Sequence, residues 1–295
     1  MIESTPPVFS DHELHQLLNE DVPFGDLTTD SLGIAARMGH IRFFARDPMV
    51  VCGVEEAVRL FQLCGAQTRL CAPSGTVAPS KTLLLEASGR ASALHRGWKV
   101  AQTLMEWCAG IATSAAAITA AAQRGHPDTL VAGTRKNVPG IRRLAAKAFR
   151  SGGAVMHRGG LSETLLVFAE HRQFLGSEPP SATITRLRRQ CPEKRIVVEV
   201  ASLADALAWA EADVLQLEKF TPDAVSEVAA ALAQRGSSTL IAAAGGITAN
   251  NAEDYARAGA RLLVTTAPHL APPRDVQVRF GVSDASGIKD AVCPA

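Results

Sequence analysis

The second half of the chain alternates between short apolar runs and longer segments with helical periodicity. This alternation is typical of units in which a parallel strand is followed by a covering helix. The candidate strands are residues 129–134, 154–157, 164–168, 195–200, 213–217, 239–243 and 261–265. The candidate helices are residues 139–151, 181–190, 203–211, 222–235 and 249–258. The pattern therefore predicts an α/β barrel.

One connection in this region is too short for a regular barrel. About six residues separate the candidate strands 154–157 and 164–168. A crossover between parallel strands needs about a dozen residues, usually including a helix. We therefore expect an irregular, open α/β barrel of about seven strands instead of a closed barrel of eight.

The first part of the chain has a different pattern. Strand-like runs lie at 40–46, 50–53, 68–72 and 81–87, with one helix-like segment at 54–63. Strands with one covering helix favour a small α+β domain. A helix over 92–124, with a candidate break at Gly110, would lead from this domain into the barrel. The predicted domains are residues 1–113, joined by a strand returning within 271–290, and the barrel domain 114–270.

Polar side chains follow the apolar runs where each predicted barrel strand ends. In chain order they are Arg135 and Lys136, His157 and Arg158, Glu170 and His171, Glu199, Glu218 and Lys219, Gly245 and Gly246, and Thr265 and Thr266. The carboxyl ends of barrel strands form the rim where active sites are built. The sequence thus predicts a pocket with a cationic part, two carboxylates, and a part made of glycines and hydroxyls.

The cationic part consists of Arg135, Lys136, His157 and Arg158. Arginine clamps a carboxylate or phosphate with a planar fork and lysine adds a compact charge, so these residues would make a strongly anion-attracting pocket. A solvated basic surface is the alternative, and His157 alone would fit a core histidine. The position at strand ends favours the binding site.

A basic segment connects the two cationic strand ends. Pro139 suits the first position of a helix. The predicted helix would then carry Arg142, Arg143, Lys147 and Arg150.

The glycine and acidic parts would suit a phosphorylated sugar. Gly245 and Gly246 precede a predicted helix, so backbone N–H groups and the helix N-terminus would hold a phosphate. Thr265 and Thr266 would add hydroxyl donors, although an ordinary glycine turn fits as well. Glu199 and Glu218 would hold sugar hydroxyls and Mg²⁺ that arrives with substrate phosphates, because Mg²⁺ usually takes one or two carboxylates plus such phosphates. Either carboxylate would alternatively pair with a nearby lysine.

Composition narrows the function classes. Lys+Arg number 30 against 29 Asp+Glu, and this net charge of +1 argues against general nucleic-acid binding. The six cysteines are scattered without a C-x-x-C pair, which favours structural thiols in a reducing cytoplasm. Residues 1–11 lack the features of a signal peptide. The apolar segment 100–122 contains Gln102 and Glu106, so a buried helix is expected there and no membrane partner.

These residues resemble the quinolinate (nicotinate-nucleotide) phosphoribosyltransferase family. The matching residues are Thr134-Arg135-Lys136, Pro139-Gly140 and His157-Arg158, and the match covers nearly the whole chain. The chain is most similar to the ModD branch, the molybdenum-transport-associated homologues. The features of that branch are Gly25-Asp26-Leu27-Thr28-Thr29, Gly97-Trp98-Lys99, Ser162-Glu163-Thr164, Glu170-His171-Arg172 and Thr265-Thr266-Ala267-Pro268.

The resemblance implies a reaction and an assembly. The reaction joins phosphoribosyl pyrophosphate (PRPP) with Mg²⁺ to quinolinate, releases pyrophosphate and CO₂, and forms nicotinate mononucleotide. Lys136, Glu199 and Glu218 are then the catalytic candidates. The family also places an arginine of the long helix in the partner subunit's active site. That position is Lys99 here, with Arg96 one turn earlier, so we expect a homodimer with shared active sites.

Several positions differ from the family pattern. Phe168 stands where the family has a lysine, eleven residues after the motif histidine. The other departures are Glu170 and Lys219, each for an asparagine, Ala242 and Ala244 for an acid and a serine, and Thr266 for a glycine. Loss of a charged partner weakens dicarboxylate binding by about tenfold to a hundredfold. The phosphoribosyl part of the site is therefore expected to be better kept than the quinolinate part.

Two other functions fit parts of this pattern. The basic pocket would suit a non-catalytic protein of ModD type that is linked to molybdenum transport and holds an anionic ligand. Glu199 and Glu218 argue for the enzyme, because two carboxylates would repel an anion. The third hypothesis is an aldolase-type barrel in which Lys136 forms a Schiff base. Such a lysine needs a depressed pKa, and only the neighbouring cation Arg135 would support that.

Overall fold

The computed structural model describes residues 6–284 and 287–290. Its α-helices are Asp11–Asp21 (α1), Leu27–Ser31 (α2), Val54–Leu63 (α3), Ala91–Gly125 (α4), Arg142–Ser151 (α5), Ala169–Arg172 (α6), Pro180–Gln190 (α7), Leu203–Ala208 (α8), Pro222–Gln234 (α9) and Ala252–Arg257 (α10). A 3₁₀ helix covers Ala267–Leu270.

The strands alternate with these helices in the second half of the chain. They are Met38–Ala45 (β1), Met49–Val50 (β2), Gln67–Leu70 (β3), Val77–Ala78 (β4), Leu83–Arg90 (β5), Leu130–Gly133 (β6), Val155–Met156 (β7), Leu165–Val167 (β8), Ile196–Val200 (β9), Val214–Glu218 (β10), Leu240–Ala244 (β11), Leu262–Thr265 (β12), Val276–Asp284 (β13) and Gly287–Asp290 (β14). Each candidate barrel strand thus has a counterpart in the structure.

The chain divides into two compact units. The first contains residues 1–113, 139–153 and 271–295, and the second contains residues 114–138 and 154–270. The sequence analysis assigned 139–153 to the barrel domain, whereas the structure groups this segment, with α5, in the first unit. The helix α5 also begins at Arg142 with Ile141 as its N-cap, so Pro139 does not occupy the first helical position.

The first unit is built on an antiparallel sheet with the strand order β14-β13-β1-β5-β3. The returning strand β13 pairs with β1 over most of its length, from Gly39 opposite Val282 to Ala45 opposite Val276. Phe43 of β1 and Phe61 of α3 are fully buried and meet edge to face, with ring centroids 5.6 Å apart. This aromatic contact explains why the α3 segment packs on the sheet.

A buried ionic cluster also lies in the first unit. The ammonium of Lys147, on α5, is 2.9 Å from Glu55 Oε2 and 2.7 Å from Glu56 Oε2, both on α3. Ser74 donates its backbone N–H and its hydroxyl to Glu55, and the Val8 N–H donates to Glu56. Of the four basic residues predicted on this helix, Lys147 is thus 3% exposed and paired with two carboxylates.

The long helix α4 is continuous through Gly110, so the candidate break there is wrong. A Cβ atom at Gly110 would lie 2.4 Å from the carbonyl oxygen of Pro272, which explains the glycine by close backbone approach. By length and composition α4 could cross a membrane, but 61% of its apolar 18-residue stretch is buried inside the protein. That burial agrees with the expected core helix.

The second unit is a seven-stranded parallel sheet with the order β7-β6-β12-β11-β10-β9-β8. It forms the open half-barrel that the sequence predicted, with covering helices. The strands β7 and β8 are consecutive in the chain but lie at opposite edges of the sheet, and residues 157–164 link them. A connection too short for a crossover helix therefore marks the place where the barrel stays open.

Candidate active site

A cavity of about 750 Å³ lies at the carboxyl ends of the half-barrel strands. Ten of the predicted site residues line it: Arg135, Lys136, His157, Arg158, Glu199, Glu218, Gly245, Gly246, Thr265 and Thr266. The structure thus brings the cationic, acidic and glycine parts into one pocket. Parallel strands have this effect because all their carboxyl ends meet at one edge of the sheet.

Arg96 and Lys99 are not among the residues that line this cavity. Both lie on α4 in the first unit. The Lys99 ammonium donates to Gln102 Oε1 at 3.1 Å and lies 4.4 Å from the centre of the Trp98 ring. Their predicted role in a partner's site stays a prediction.

Thr134 fixes the start of the loop that carries Arg135 and Lys136. Its backbone N–H donates to Thr265 O, and its carbonyl accepts from His269 Nε2 at 2.9 Å. Its hydroxyl lies 2.9 Å from the hydroxyl of Thr266. These bonds use both backbone groups of Thr134, so the basic residues leave the sheet from an anchored position.

Arg158 is the most deeply buried cation of the pocket. It is 6% exposed, and its guanidinium carbon lies 5.6 Å from the centre of the Phe168 ring. Among the residues that the structure describes, no carboxylate lies within 4.0 Å of it. Burial and the nearby charge of Arg135 lower the pKa of Arg158 below its usual value. A buried cation without a counter-charge costs stability, and an anionic ligand would remove that cost.

His157 lies beside Arg158 at the same strand end. Its backbone N–H donates to Gly133 O at 3.0 Å, which continues the pairing of β7 with β6. Burial, and then the charge of Arg158, lower the pKa of His157 below 6.5, while Glu163 opposes the shift. The imidazole is therefore neutral at pH 7 in the ligand-free protein and can accept or donate a hydrogen bond.

Phe168 forms an aromatic wall next to Arg158. Its ring stacks on His171, with centroids 5.7 Å apart and an interplanar angle of 19°. The Phe168 N–H also donates to Nδ1 of His171 at 2.9 Å, which fixes the histidine against the ring. At the position of the family lysine, this pocket therefore presents the apolar ring of Phe168, which is held by its stacking on His171.

The acidic part lies on β9 and β10. Gln216 pairs with Glu199 across the two strands, and its Nε2 donates to Glu199 Oε2 at 2.8 Å. Burial, and then the charge of Glu218, raise the pKa of Glu199 above its usual value. A cation bound beside Glu199 and Glu218 would stabilise the charged form of Glu199 against both causes of this shift.

The glycine part is a loop of left-handed backbone. Gly245 and Gly246 have φ angles of +90° and +78°. The backbone N–H groups of Gly245, Gly246 and Ile247 donate to no acceptor within the described chain. The next helix, α10, begins only at Ala252 and has six residues, so the expected helix N-terminus does not contribute here. The loop N–H groups themselves are the available donors.

The hydroxyl of Thr265, which also lines the cavity, is bonded to this loop. Its hydroxyl donates to Ile247 O at 2.7 Å and accepts from the Ala267 N–H at 3.1 Å. Thr265 is 3% exposed. Its proton is therefore engaged within the protein and is not a free donor for a ligand.

Gln216 is a pocket residue that the sequence analysis missed. The signal for it is a polar side chain in the middle of the β10 run, on the same face of the strand as Val214 and Glu218. A polar residue at a core position usually has a buried partner. The partner, Glu199, lies on the neighbouring strand and is not visible in a local pattern.

Comparison with known proteins agrees with this geometry. The family model "Quinolinate phosphoribosyl transferase, C-terminal domain" matches residues 111–291, and the N-terminal domain model matches residues 26–109. The chain belongs to the quinolinate phosphoribosyltransferase family.

Two curated relatives represent the branches of this family. The relative that carries the name pyrophosphorylase ModD in Rhodobacter capsulatus is 51% identical over 86% of this chain and 98% of its own length. A probable nicotinate-nucleotide pyrophosphorylase (carboxylating) of Synechocystis is 30% identical over 91% of each chain. The sequence resemblance to the family and to its ModD branch is thereby confirmed.

The solved structures show the same fold. The crystal structure of NadC from Streptococcus pyogenes aligns with a TM-score of 0.84 and 25% identity, covering 93% of this chain and 97% of that chain. The prediction of an open α/β barrel with a smaller α+β domain is confirmed by this likeness. Members of the family act on small molecules such as PRPP and quinolinate-like acids.

Proposed function

We propose that this protein is a phosphoribosyltransferase that joins the phosphoribosyl group of PRPP to an aromatic acid, with an acceptor other than quinolinate. The observation that carries the proposal is Arg158, a buried cation without a carboxylate partner in the described chain, on the wall of the 750 Å³ cavity. Such a cation is stabilised when an anionic ligand enters.

The cationic side of the cavity supports binding of the acceptor. Arg135 and Arg158 offer planar forks for a carboxylate, and Lys136 adds a point charge. The neutral His157 contributes a hydrogen bond. Lys136 is proposed to stabilise negative charge on the reacting groups during transfer, because fixed charges in a water-poor site act most strongly where charge develops.

Phe168 supports an altered acceptor. Quinolinate carries two carboxylates, and the wall next to Arg158 presents an aromatic ring stacked on His171. An apolar wall gives no charge partner to a second carboxylate, and desolvating that carboxylate is costly. We therefore propose that an aromatic acid with one carboxylate against Arg158 fits better than quinolinate.

The acidic side supports the phosphoribosyl donor with Mg²⁺. Glu199 and Glu218 line one cavity, and the charge of Glu218 helps raise the pKa of Glu199. No group of three or more histidine, cysteine or acidic side chains suited to a metal occurs among residues 6–284 and 287–290. Two carboxylates therefore suit Mg²⁺ that arrives with substrate phosphates. Bound Mg²⁺ would neutralise charge on the departing pyrophosphate, while both carboxylates favour positive charge on the ribose carbon.

The test measures binding and turnover separately. Calorimetry with PRPP and Mg²⁺, quinolinate, nicotinate and molybdate identifies which ligands bind. Release of pyrophosphate with each binding acceptor measures transfer. We expect PRPP to bind with Mg²⁺, and nicotinate-like acids to bind more tightly than quinolinate. Tight molybdate binding without any pyrophosphate release would favour the ModD-type anion-binding function instead.

Two variants connect the activity to the cavity. Lys136→Ala and Glu218→Ala are expected to lose pyrophosphate release while the protein stays folded, because both side chains lie on the rim and outside the core. Thermal unfolding followed by circular dichroism checks the fold. Unchanged turnover in either variant would remove that residue from the mechanism.

We also propose a homodimer with shared active sites, in which Arg96 and Lys99 contribute charge to the partner's site. The support is the family likeness together with the position of both residues outside this cavity. Subunits carrying Arg96→Ala with Lys99→Ala are mixed with subunits carrying Lys136→Ala. Partial recovery of activity after subunit exchange is expected, and a monomer by sedimentation would contradict the assembly. The cytoplasmic location and the absence of nucleic-acid and membrane partners stay predictions.

A further inference from the structure

Gln216 is a buried polar side chain of the cavity with one unused hydrogen-bonding atom. It lies in the middle of β10, lines the cavity and is 4% exposed. Its Nε2 donates to Glu199 Oε2 at 2.8 Å, whereas its Oε1 is buried and has no hydrogen-bond partner among the described residues. Buried polar atoms are nearly always paired, so this oxygen requires an explanation.

The bond to Glu199 fixes which end of the Gln216 amide faces the carboxylate. An ionised carboxylate only accepts hydrogen bonds, so it selects the NH₂ end of the amide. The two residues are register partners on β9 and β10, and this pairing holds the amide in one orientation. The carbonyl oxygen Oε1 is therefore turned away from Glu199, and it remains an acceptor without a donor.

The neighbouring positions on this face of the sheet offer no donor to Oε1. Gln216 pairs on its other side with Ala242 of β11, whose methyl group cannot donate. Val214 and Glu218 flank Gln216 along β10 on the same face. A valine side chain has no polar atom, and an ionised glutamate only accepts hydrogen bonds. The donor for Oε1 therefore has to come from a molecule bound in the cavity.

The cavity wall around Gln216 is apolar. Three members of one buried apolar cluster also line the cavity: Leu166, Ala244 and Val264. The ring of Phe168 lines it too and packs against the same cluster. Such a wall suits a flat aromatic ring better than a sugar, whose hydroxyl groups would lose their hydrogen bonds to water there. The surroundings of Gln216 therefore favour contact with an aromatic ligand.

We propose that Gln216 Oε1 accepts a hydrogen bond from the aromatic acid acceptor, which therefore carries an N–H or O–H donor on its ring in addition to its carboxylate. The identity of this ligand as the acceptor acid rests on the function proposed above. The carboxylate binds on the cationic side at Arg158, and the donor group meets the apolar wall at Gln216. Such a site discriminates against analogues without the donor, because the buried acceptor then stays unpaired.

Matched ligands isolate this hydrogen bond. Nicotinates with an amino group at each free ring carbon in turn are compared with nicotinates that carry a methyl group at the same carbon, which has a similar size and no donor. Calorimetry measures the two dissociation constants of each pair. For at least one ring position, the unmodified protein should bind the amino compound about five- to tenfold more tightly than the methyl compound.

Gln216→Met removes the amide and keeps a side chain of similar length. The preference for the amino compound should disappear, because the acceptor is gone. Loss of the bond to Glu199 affects both ligands of a pair alike, so it cancels in the ratio of the two dissociation constants. Gln190→Met is the matched control, since Gln190 is exposed at the end of α7 and does not line the cavity. It should keep the preference, and thermal unfolding of each variant checks the fold.

The outcomes separate this role of Gln216 from the proposed transferase. No amino preference at any ring position, a preference that survives in Gln216→Met, an equal loss in Gln190→Met, or no binding of any of these acids overturns the role. A weaker affinity of Gln216→Met for PRPP with Mg²⁺, with the amino preference unchanged, assigns Oε1 to the sugar and also overturns it. A preference that depends on Gln216, without pyrophosphate release for any acid, supports the role and contradicts the transferase. Pyrophosphate release without any amino preference supports the transferase and contradicts the role.

Discussion

Two buried cations in this protein have opposite surroundings. In the first unit, Lys147 is 3% exposed and contacts Glu55 and Glu56 at 2.9 and 2.7 Å. In the second unit, Arg158 is 6% exposed and its guanidinium lies over the ring of Phe168. The two cations are therefore similarly buried, but Lys147 is paired with two carboxylates, whereas Arg158 has no carboxylate partner within the described residues.

The pKa shifts reflect this difference. Burial alone would lower the pKa of Lys147, but Glu56 and Glu55 outweigh it and raise the pKa. Burial and Arg135 both act to lower the pKa of Arg158. The charge in the paired cluster stabilises the fold, whereas the charge in the cavity depends on a ligand for its partner. The comparison indicates which buried charges are structural and which mark a binding site.

The largest expected effect concerns the paired cluster. Lys147→Met leaves the carboxylates of Glu55 and Glu56 buried without their cation. Breaking a buried ion pair in this way should lower the free energy of unfolding by about 3–5 kcal/mol. Urea denaturation measures the loss, with Lys194→Met as an exposed control. Adding Glu56→Gln to Lys147→Met should recover part of the stability, and a loss below about 1 kcal/mol would contradict the comparison.

The next effect reverses the pattern at Arg158. Arg158→Met removes a cation that has no carboxylate partner in the described structure, so the free energy of unfolding should stay the same or increase. Affinity for the aromatic acid acceptor should fall by about tenfold to a hundredfold. Calorimetry and urea denaturation of the same preparation measure both. A strong loss of stability together with unchanged acceptor affinity would give Arg158 a structural role.

Phe168→Lys increases the unpaired charge next to Arg158. We expect affinity for quinolinate to rise by about tenfold, and affinity for nicotinate to rise less, because only quinolinate has a second carboxylate. The ligand-free protein should become less stable, since two like charges face each other. Phe168→Leu is the apolar control. Tight quinolinate binding by the unmodified protein would contradict this assignment.

The smallest expected effect is on pH dependence. Burial lowers the pKa of both His157 and His269 below 6.5, so below that pH the unfolded chain binds protons before the folded one does. The free energy of unfolding should therefore fall as the pH decreases from about 6.5, and it should be constant for these groups above it. Urea denaturation at pH values from about 5.5 to 8, on both sides of the usual histidine pKa of about 6.5, measures how the free energy of unfolding changes with pH. The double variant His157→Gln with His269→Gln should show a shallower dependence on pH. An unchanged dependence would show that neither histidine causes it.

Much of the second unit follows from local patterns. The apolar runs gave the barrel strands, and the short link between β7 and β8 indicated the open barrel, because a crossover needs more residues. The polar residues at strand ends, such as Arg158 and Glu218, also converge as expected. Parallel strands place residues that are far apart in sequence at one rim, so the composition of the rim can be read from the sequence.

Other features depended on contacts that no local pattern contains. The helix that follows Gly245 and Gly246 was expected to begin at residue 249, but it begins at Ala252. The hydroxyl of Thr265 was expected to be a donor for a ligand, but it donates to Ile247 O. Glycine and threonine permit several turn arrangements, and the packing of neighbouring strands selects one of them. Element ends are accordingly the part of the prediction that changed most.

The sequence by itself determined the chain order of the seven barrel strands and of their larger helices, and the residues at the strand ends, because both depend on periodicity over a few positions. The tertiary structure decided which charges are paired. Lys147 was predicted on a helix with three arginines, and its partners Glu55 and Glu56 lie about ninety residues earlier in the chain. Arg158 is likewise a basic residue next to an apolar run, but no carboxylate lies within 4.0 Å of it in the described chain. Electrostatic energy depends on distance and burial in space, and these quantities exist only once the chain has folded.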